Sequence, residues 1–140
     1  MTPEGLYAAV NGLTVVCWIL LAVLPNRRWV TDTVTSLAVP ALFAVAYSGL
    51  IAARWAGASG GFSTLADVSA LFQDPWLLLA GWIHYLAFDL LIGSWEVRDA
   101  REQRIPHLLV VPCLFFTFMF GPLGWLLYRT LRWARTGAAI

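Results

Sequence analysis

The chain alternates long uncharged apolar stretches with short polar connections. A hydrocarbon core of about 30 Å is crossed by about 20 apolar residues of α-helix. Backbone groups in lipid must pair within their own segment, so the pattern predicts an all-α fold. We expect one integral membrane domain, residues 1–140, in which a bundle of four transmembrane helices has both termini on one face. The predicted spans are 6–24, 34–53, 75–95 and 108–127.

The connection between the second and third stretches predicts a short interfacial helix, with an ordered loop as the alternative. Thr64 is suited to cap the start of this helix, with Asp67 at its third helical position. Asp74 followed by Pro75 is typical of the start of the next helix, because the carboxylate caps and the proline needs no N–H partner.

Composition excludes several classes of protein. Hydrophobic residues make up 60% of the chain and charged residues 12%, whereas a soluble domain is about 25% charged. A nucleic-acid binder, an enzyme for acidic substrates and a disordered chain are therefore excluded. All basic residues are arginine, which excludes lysine chemistry such as Schiff-base formation. The arginine-only, alanine-rich composition looks bacterial, and we expect the inner (cytoplasmic) membrane of a bacterium.

The distribution of charge among the connections does not predict how the chain is oriented in the membrane. With four spans, five arginines lie on one side of the membrane and four on the other, a difference too small for the positive-inside rule. The segment 96–104 alternates in sign and predicts a solvated extension of the third helix, with ion pairs between successive turns.

Motifs for metal binding and nucleophilic catalysis are missing from the predicted spans. No span carries an HxxxH or ExxH pair, and no span contains a GxSxG motif. Cys17 and Cys113 lie in different apolar stretches and are interpreted as small buried apolar residues. We therefore predict neither a metal site nor a cofactor site.

Two ionisable side chains, His84 and Asp89, fall inside the third stretch. A carboxylate inside hydrocarbon costs roughly 2.5–3.5 kcal/mol on insertion scales, so Asp89 is predicted to face the bundle interior, a wet cavity or an arginine. A neutral histidine is tolerated there and exchanges a proton near neutral pH. Two interpretations stay open: interhelical contacts without turnover, or a cavity with an acid–base group and aromatic walls.

Helical geometry separates these two side chains. At about 100° per residue, His84 lies roughly 140° around the helix from Asp89, so each needs partners from other helices. The buried amide of Asn11 is a candidate partner. The predicted catalytic residues are Asp89 and His84. The predicted substrate-binding residues, which are aromatic apart from one amide, are Asn11, Trp18, Trp82, Tyr85 and Phe88.

The fourth stretch contains prolines and many phenylalanines. Pro112 and the pair Gly121 and Pro122 are predicted to bend or loosen its helix. Kinked walls lined by phenylalanine suit a long apolar ligand, although some of these rings must face lipid.

A family resemblance rests on two runs, DPWLLLAGWIHYLAFDLLIGSWEVRDA at 74–100 and IPHLLVVPCLFFTFMFGPLGWLLY at 105–128. They resemble the abscisic-acid-deficient-four-like family of small four-helix membrane proteins, whose plant member is the neoxanthin synthase of plastids. The most specific part is the W-I-H-x-L-x-x-D-L core at 82–90. The likeness extends to the first span through Asn11 and the exit at Leu24 and Pro25. Unlike the plant members, this chain is expected to have no plastid transit peptide.

The resemblance implies a cofactor-free carotenoid or isoprenoid isomerase. In the plant reaction the epoxide of violaxanthin is protonated and opened, and a nearby carbon loses a proton to give the allene of neoxanthin. That chemistry needs one acid and one base beside an apolar polyene, and Asp89 and His84 are residues of the required types.

The expected partners are the membrane and an apolar lipid or carotenoid, with oligomers allowed and nucleic acid excluded. The alternative function is a non-catalytic membrane protein that binds a lipid or pigment, or that scaffolds a membrane enzyme.

Overall fold

The computed structural model describes residues 2–137, and within this range the chain is helical with no strand. The predicted all-α class is therefore confirmed. A π-helical segment, Trp29–Ala38, runs directly into the second α-helix, which ends in a 3₁₀ turn, Trp55–Gly57. The α-helices are α1 (Pro3–Val23), α2 (Val39–Arg54), α3 (Leu65–Leu71), α4 (Pro75–Glu102), α5 (His107–Phe120) and α6 (Pro122–Thr136).

Three helical segments are long and apolar enough to cross a membrane: α1, the continuous segment Trp29–Gly57, and α4. Their outward faces are apolar as well. Val23 and Val45 are about 70% exposed, at 68% and 72%. Large apolar side chains exposed along every long helix indicate that the surrounding solvent is hydrocarbon. The chain is therefore built as a membrane protein.

The second membrane segment begins at Trp29, earlier than the predicted span 34–53, and its first turns are π-helical. Pro40 lacks an N–H, and its ring would crowd the carbonyl group four residues earlier in a regular α-helix. The preceding turns are widened, and the Val39 N–H donates to the carbonyl of Val34, five residues back. The Thr35 hydroxyl likewise donates to the Val30 carbonyl (2.9 Å). Such wide turns are uncommon and often lie at functional sites.

Both predicted helix caps are confirmed. The Thr64 hydroxyl accepts a hydrogen bond from the Asp67 N–H (3.1 Å), and α3 forms as the predicted short helix between the second and third membrane segments. The Asp74 carboxylate accepts from the Trp76 N–H (2.8 Å) at the start of α4. These caps satisfy backbone donors that have no partner inside the first turn.

The longest helix, α4, lies at the centre and contacts α1, α2, α5 and α6. The continuous segment Trp29–Gly57 runs antiparallel to it, because Thr35 meets Ser94 near one end (2.7 Å) and Arg54 meets Asp74 at the other (2.6 Å). Helix α1 runs parallel to α4. Its early residue Asn11 contacts Trp82, and the carbonyl of Pro25, just beyond its end, accepts from Arg101 (3.3 Å).

The fourth apolar stretch reverses direction at Gly121. This residue has φ +48° and ψ −96°, a conformation that side chains disfavour, and Pro122 starts the next helix. Helix α5 enters antiparallel to α4, with Thr117 bonded to Glu96. Helix α6 then returns, so that its Tyr128 hydroxyl donates to Asp99 (2.5 Å). Helices α5 and α6 therefore form a hairpin with its tip beside the middle of α4.

The hairpin corrects the prediction of a single fourth span at 108–127. Helix α5 has 14 residues, about 21 Å at 1.5 Å per residue, which is short of a hydrocarbon core of about 30 Å. Because the three long segments alternate in direction and the hairpin returns to the end from which it started, Pro3 and Thr136 lie at opposite ends of the bundle. The expected common face for the two termini is therefore wrong.

The reversal also redistributes charge. The Arg132 side chain pairs with Asp99 (2.9 Å), which places the basic half of α6 beside the C-terminal end of α4. The connection at Arg27 and Arg28 lies at the same end, because Arg101 reaches the neighbouring Pro25 carbonyl. Every arginine of the sequence except Arg54 therefore lies toward this one end, which we call the basic end.

Candidate functional site

Asp89 lies at the middle of α4, under the tip of the hairpin. Its side chain is buried, with 9% exposed, as the cost of placing a carboxylate in lipid predicts. Tyr85, one turn earlier, lies beside the carboxyl group, and its hydroxyl donates to the Phe118 carbonyl (3.3 Å). A Cβ added to Gly121 would lie 2.9 Å from Asp89 Oδ1. The other oxygen, Oδ2, is buried and has no hydrogen-bond partner among the described residues.

Glu96 lies two turns further along α4 and is completely buried. The Thr117 hydroxyl of α5 donates to its Oε1 (2.9 Å), whereas Oε2 is buried without a partner within the part of the chain described. The prediction that residues 96–104 form a solvated extension of the third helix is therefore wrong at Glu96. The α5–α6 hairpin folds back over this face of α4. The spacing of Glu96 from Asp89 puts both on one helix face, but the alternating charges at 96–104 favour exposure.

Trp18 of α1 lies between these two carboxyl groups. A Cβ added to Gly93, which sits between Asp89 and Glu96 on α4, would lie 2.5 Å from the indole ring. The absence of a side chain at Gly93 therefore lets the indole pack directly on the α4 backbone. Trp18 is 7% exposed, and its Nε1 is buried without a partner in the described structure.

Trp18 Nε1, Asp89 Oδ2 and Glu96 Oε2 are all the buried side-chain nitrogen and oxygen atoms that have no partner within residues 2–137. An unsatisfied buried polar group costs about 1–3 kcal/mol, so a folded protein tolerates few of them, and a cluster calls for an explanation. Asp89 and Glu96 lie about one turn to either side of Gly93 on α4, and Trp18 packs on this glycine. We call the following group of neighbouring side chains the carboxyl site: Trp18, Tyr85, Asp89, Glu96 and Thr117.

An apolar groove runs beside the carboxyl site, between α1 and α5. It has a volume of about 250 Å³ and is lined by side chains that include Val15, Leu114, Phe115 and Phe118. Trp18 also lines it, with its ring 5.5 Å from that of Phe118. Trp18 is therefore shared by an apolar groove that faces the hydrocarbon and a buried pair of carboxyl groups. This arrangement suits a ligand with an apolar body and an oxygen-bearing end.

The sequence matches the ABA4-like family, described as ABA DEFICIENT 4-like, over residues 5–128. The chain belongs to this family. The matched range contains the whole carboxyl site and the hairpin tip. No curated protein and no solved structure matches the chain.

Asn11 and Trp82 of this ABA4-like protein bind each other rather than Asp89. The Trp82 indole donates to Asn11 Oδ1 (3.2 Å), and the Asn11 amide donates to the Tyr7 carbonyl (2.8 Å). The sequence makes Asn11 a candidate partner for Asp89 or His84. The structure corrects this, because the Asn11 amide is hydrogen-bonded to the Trp82 indole and the Tyr7 carbonyl instead. Trp82 and Tyr7 line a separate groove of about 270 Å³ near the start of α1 and α4. Substrate binding by Asn11 and Trp82 stays a prediction.

His84 lies on another face of α4 from the carboxyl site. Its ring is 4.7 Å from that of Phe88 and 5.8 Å from that of Tyr47 in α2, measured between centroids. It lines a pocket of about 290 Å³, together with Trp55 and Phe62 from the connection that leads to α3. The roles predicted for His84 and Phe88 stay predictions, and they concern a different pocket from the one beside Asp89.

Polar contacts at the basic end hold the hairpin and the π-helical segment against α4. Asp99 accepts from Tyr128 and pairs with Arg132, which fixes α6. Arg98 donates to the Thr31 carbonyl (2.8 Å), which fixes the π-helical segment. These contacts position the wall of the carboxyl site. Among residues 2–137, no group of three or more His, Cys, Asp or Glu side chains is arranged to hold a metal ion.

Proposed function

We propose that this ABA4-like protein is an integral membrane isomerase that opens an epoxide on a carotenoid or a related isoprenoid, without a cofactor. The observation that carries the proposal is the buried Asp89 carboxyl group, with its free Oδ2, halfway along a membrane-spanning helix. Membership of the ABA4-like family is consistent with a role of the neoxanthin-synthase type.

The proposed reaction needs proton transfer and no electron transfer. The epoxide oxygen gains a proton as its C–O bond breaks, and a neighbouring carbon loses a proton to form a new double bond. Substrate and product therefore have the same composition. Asp89 is suited to exchange one of these protons, since a positioned carboxyl group contributes about 10²–10⁴-fold by general acid–base catalysis. Asp89 is 9% exposed, and a site closed to water would keep water from trapping the opened intermediate.

The groove between α1 and α5 is suited to the apolar body of such a substrate. A carotenoid is about as long as the bilayer is thick, and it would lie along the helices with one end group at the carboxyl site. Trp18 and Phe118 would contact the polyene beside that end group. The predicted substrate-binding roles of Trp18 and Tyr85 belong to this proposal.

We also propose how the chain lies in the membrane. Three segments cross, and the α5–α6 hairpin enters from the basic end and returns to it. By the positive-inside rule, the basic end faces the cytoplasm. The location proposed with this orientation is the cytoplasmic membrane of a bacterium, with Thr136 inside and Pro3 outside.

Expression in cells that accumulate violaxanthin tests the function. Extracted pigments from cells with the wild-type protein should contain a new isomer of violaxanthin, and cells with an equal amount of Asp89→Asn should not. A new isomer that also forms with Asp89→Asn would exclude Asp89 as the catalytic group. Unchanged violaxanthin that copurifies with the protein would favour the alternative, a non-catalytic pigment-binding protein.

A further inference from the structure

Asp89 and Glu96 lie on the same face of α4. They are seven residues apart, which corresponds to about two helical turns and roughly 10 Å of rise. Both side chains turn toward α1 and the hairpin. Two buried carboxyl groups on one face of a membrane helix are costly, because each ionised group loses hydration. The fold retains both, without an arginine or lysine between them on that face.

Glu96 is held by one oxygen and free at the other. Thr117 donates to Oε1, which fixes the carboxyl group, while Oε2 has no partner among the described residues. Asp89 is enclosed differently: the backbone of Gly121 lies against both of its carboxyl oxygens, and Oδ2 has no hydrogen-bond partner among the described residues. Each of the two residues therefore has one buried oxygen whose hydrogen-bonding capacity is unused.

The indole N–H of Trp18 is a second, independent indication of a ligand. It is a buried donor without a partner, in a ring that packs on Gly93 between the two carboxyl groups. A buried donor without a partner, in a ring that packs beside two carboxyl groups with unpaired oxygens, suits an oxygen-bearing group that both accepts and donates hydrogen bonds.

From this arrangement we propose that Glu96 is the second proton-transfer group of the site and acts on the same substrate end group as Asp89. This inference rests on the proposed isomerase function and deepens it. One carboxyl group, protonated, gives its proton to the epoxide oxygen as the C–O bond breaks. The other, ionised, takes the proton from the neighbouring carbon. The pair holds one proton before and after turnover, and transfer of that proton between the two groups restores the starting state.

Matched glutamine variants on the same helix test this assignment. Glu96→Gln should lower turnover of violaxanthin by about 10²–10⁴-fold, as loss of an acid–base group does. Glu102→Gln is the control, because Glu102 also lies on α4 but is exposed. It should leave turnover unchanged. Wild-type turnover by Glu96→Gln would overturn the proposal while leaving the isomerase function intact.

Substitutions at Thr117 test the site without removing a carboxyl group. Thr117→Val removes the hydroxyl that holds Glu96 and should lower kcat and change the pH profile of the reaction. Thr117→Ser restores the hydroxyl and should rescue both. Equal effects of Val and Ser would indicate that Thr117 contributes only to packing, and would count against a positioned Glu96.

Labelling with dicyclohexylcarbodiimide tests whether Asp89 and Glu96 belong to one ligand site, even if no turnover is found. This apolar reagent modifies protonated carboxyl groups in apolar surroundings. Mass spectrometry of the purified protein should find it on Asp89 and Glu96 and not on Glu102, and bound violaxanthin should protect both. Modification of Asp89 alone, or protection of only one of the two, would overturn the proposal. Joint labelling and protection without turnover would support the shared site and reject the isomerase function.

Discussion

The backbone of Gly121 lies against the carboxyl group of Asp89, so close that a Cβ would come within 2.9 Å of Oδ1 and 3.3 Å of Oδ2. Gly121 is also the residue at which the fourth apolar stretch reverses direction, with φ +48°. One residue therefore sets both the course of the chain and the cover over the candidate catalytic group. A change at Gly121 should consequently affect stability and the site together.

Gly121→Ala should lower the free energy of unfolding by about 1–3 kcal/mol, because alanine is strained at this backbone conformation and its methyl group would displace Asp89. Denaturant unfolding in detergent measures the effect. Gly12→Ala in α1 is the control. Its added Cβ meets nothing within 4 Å, and stability should be unchanged or slightly raised. Equal stability of the two variants would contradict the tight contact at the hairpin tip.

Asp89→Asn should abolish isomerisation without loss of folded protein. The amide keeps the shape of the side chain but exchanges no proton, and a neutral group costs less in hydrocarbon than a carboxylate. Yield of monodisperse protein and thermal stability should equal or exceed those of the wild type, while violaxanthin stays unconverted. Loss of the folded protein would instead assign Asp89 a structural role.

The His84→Gln variant tests whether the reaction takes place at the carboxyl site or in the pocket beside His84. His84 faces Tyr47 and Phe88 rather than the carboxyl site, so we expect turnover per folded molecule to stay close to that of the wild type. A proton-transfer group would instead lose about 10²-fold or more. Such a loss, measured with violaxanthin, would return His84 to the catalytic role that its sequence position predicts.

The hairpin predicts opposite locations for the two ends of the chain. A reporter that is active only in the cytoplasm, fused after the last residue, should be active. The same reporter fused before the first residue should be inactive, and a periplasmic reporter should give the reverse pattern. Both ends on one face would indicate that α5 and α6 together cross the membrane as a fourth span, and would contradict the hairpin.

The ion pair at the end of α4 opposite the basic end predicts a dependence on acid pH. The hydrogen bond from Arg54, together with the capping N–H groups, holds the pKa of the Asp74 carboxyl below its ordinary value. The folded state therefore favours the ionised carboxylate. The resulting stabilisation is complete above an ordinary aspartate pKa of about 4, and it is lost as the pH falls through the lowered pKa.

Arg54→Gln should therefore be less stable than the wild type at pH values above the ordinary aspartate pKa. At the acid end of the series the two proteins should have the same thermal stability. Thermal unfolding at a series of pH values measures this difference. Arg135→Gln, on the exposed face of α6, should leave the acid dependence unchanged. An Arg54→Gln protein whose stability follows the wild type at every pH would contradict the pair.

Local chemistry in the sequence was sufficient to predict much of the fold. Uncharged apolar stretches predict membrane helices because hydrocarbon offers no other partner for backbone groups. Thr64 and Asp74 predict helix starts because their side-chain oxygens satisfy nearby N–H groups, and both caps form. The burial of Asp89 follows from its solvation cost alone. Each of these inferences depends on a few neighbouring residues and on the solvent.

Only the tertiary structure decided where the hairpin reverses and which groups meet there. Hydropathy over 108–127 is the same whether the chain continues or turns back, and Gly121 and Pro122 permit either a kink or a reversal. The reversal covers Glu96, brings Thr117 to it, and moves the arginines of α6 to the basic end. In sequence Glu96 begins a charged run, which predicts exposure, whereas its spacing of seven residues from Asp89 puts both on one face of the helix. Only contacts between residues far apart in the chain decide that this face is covered at Glu96.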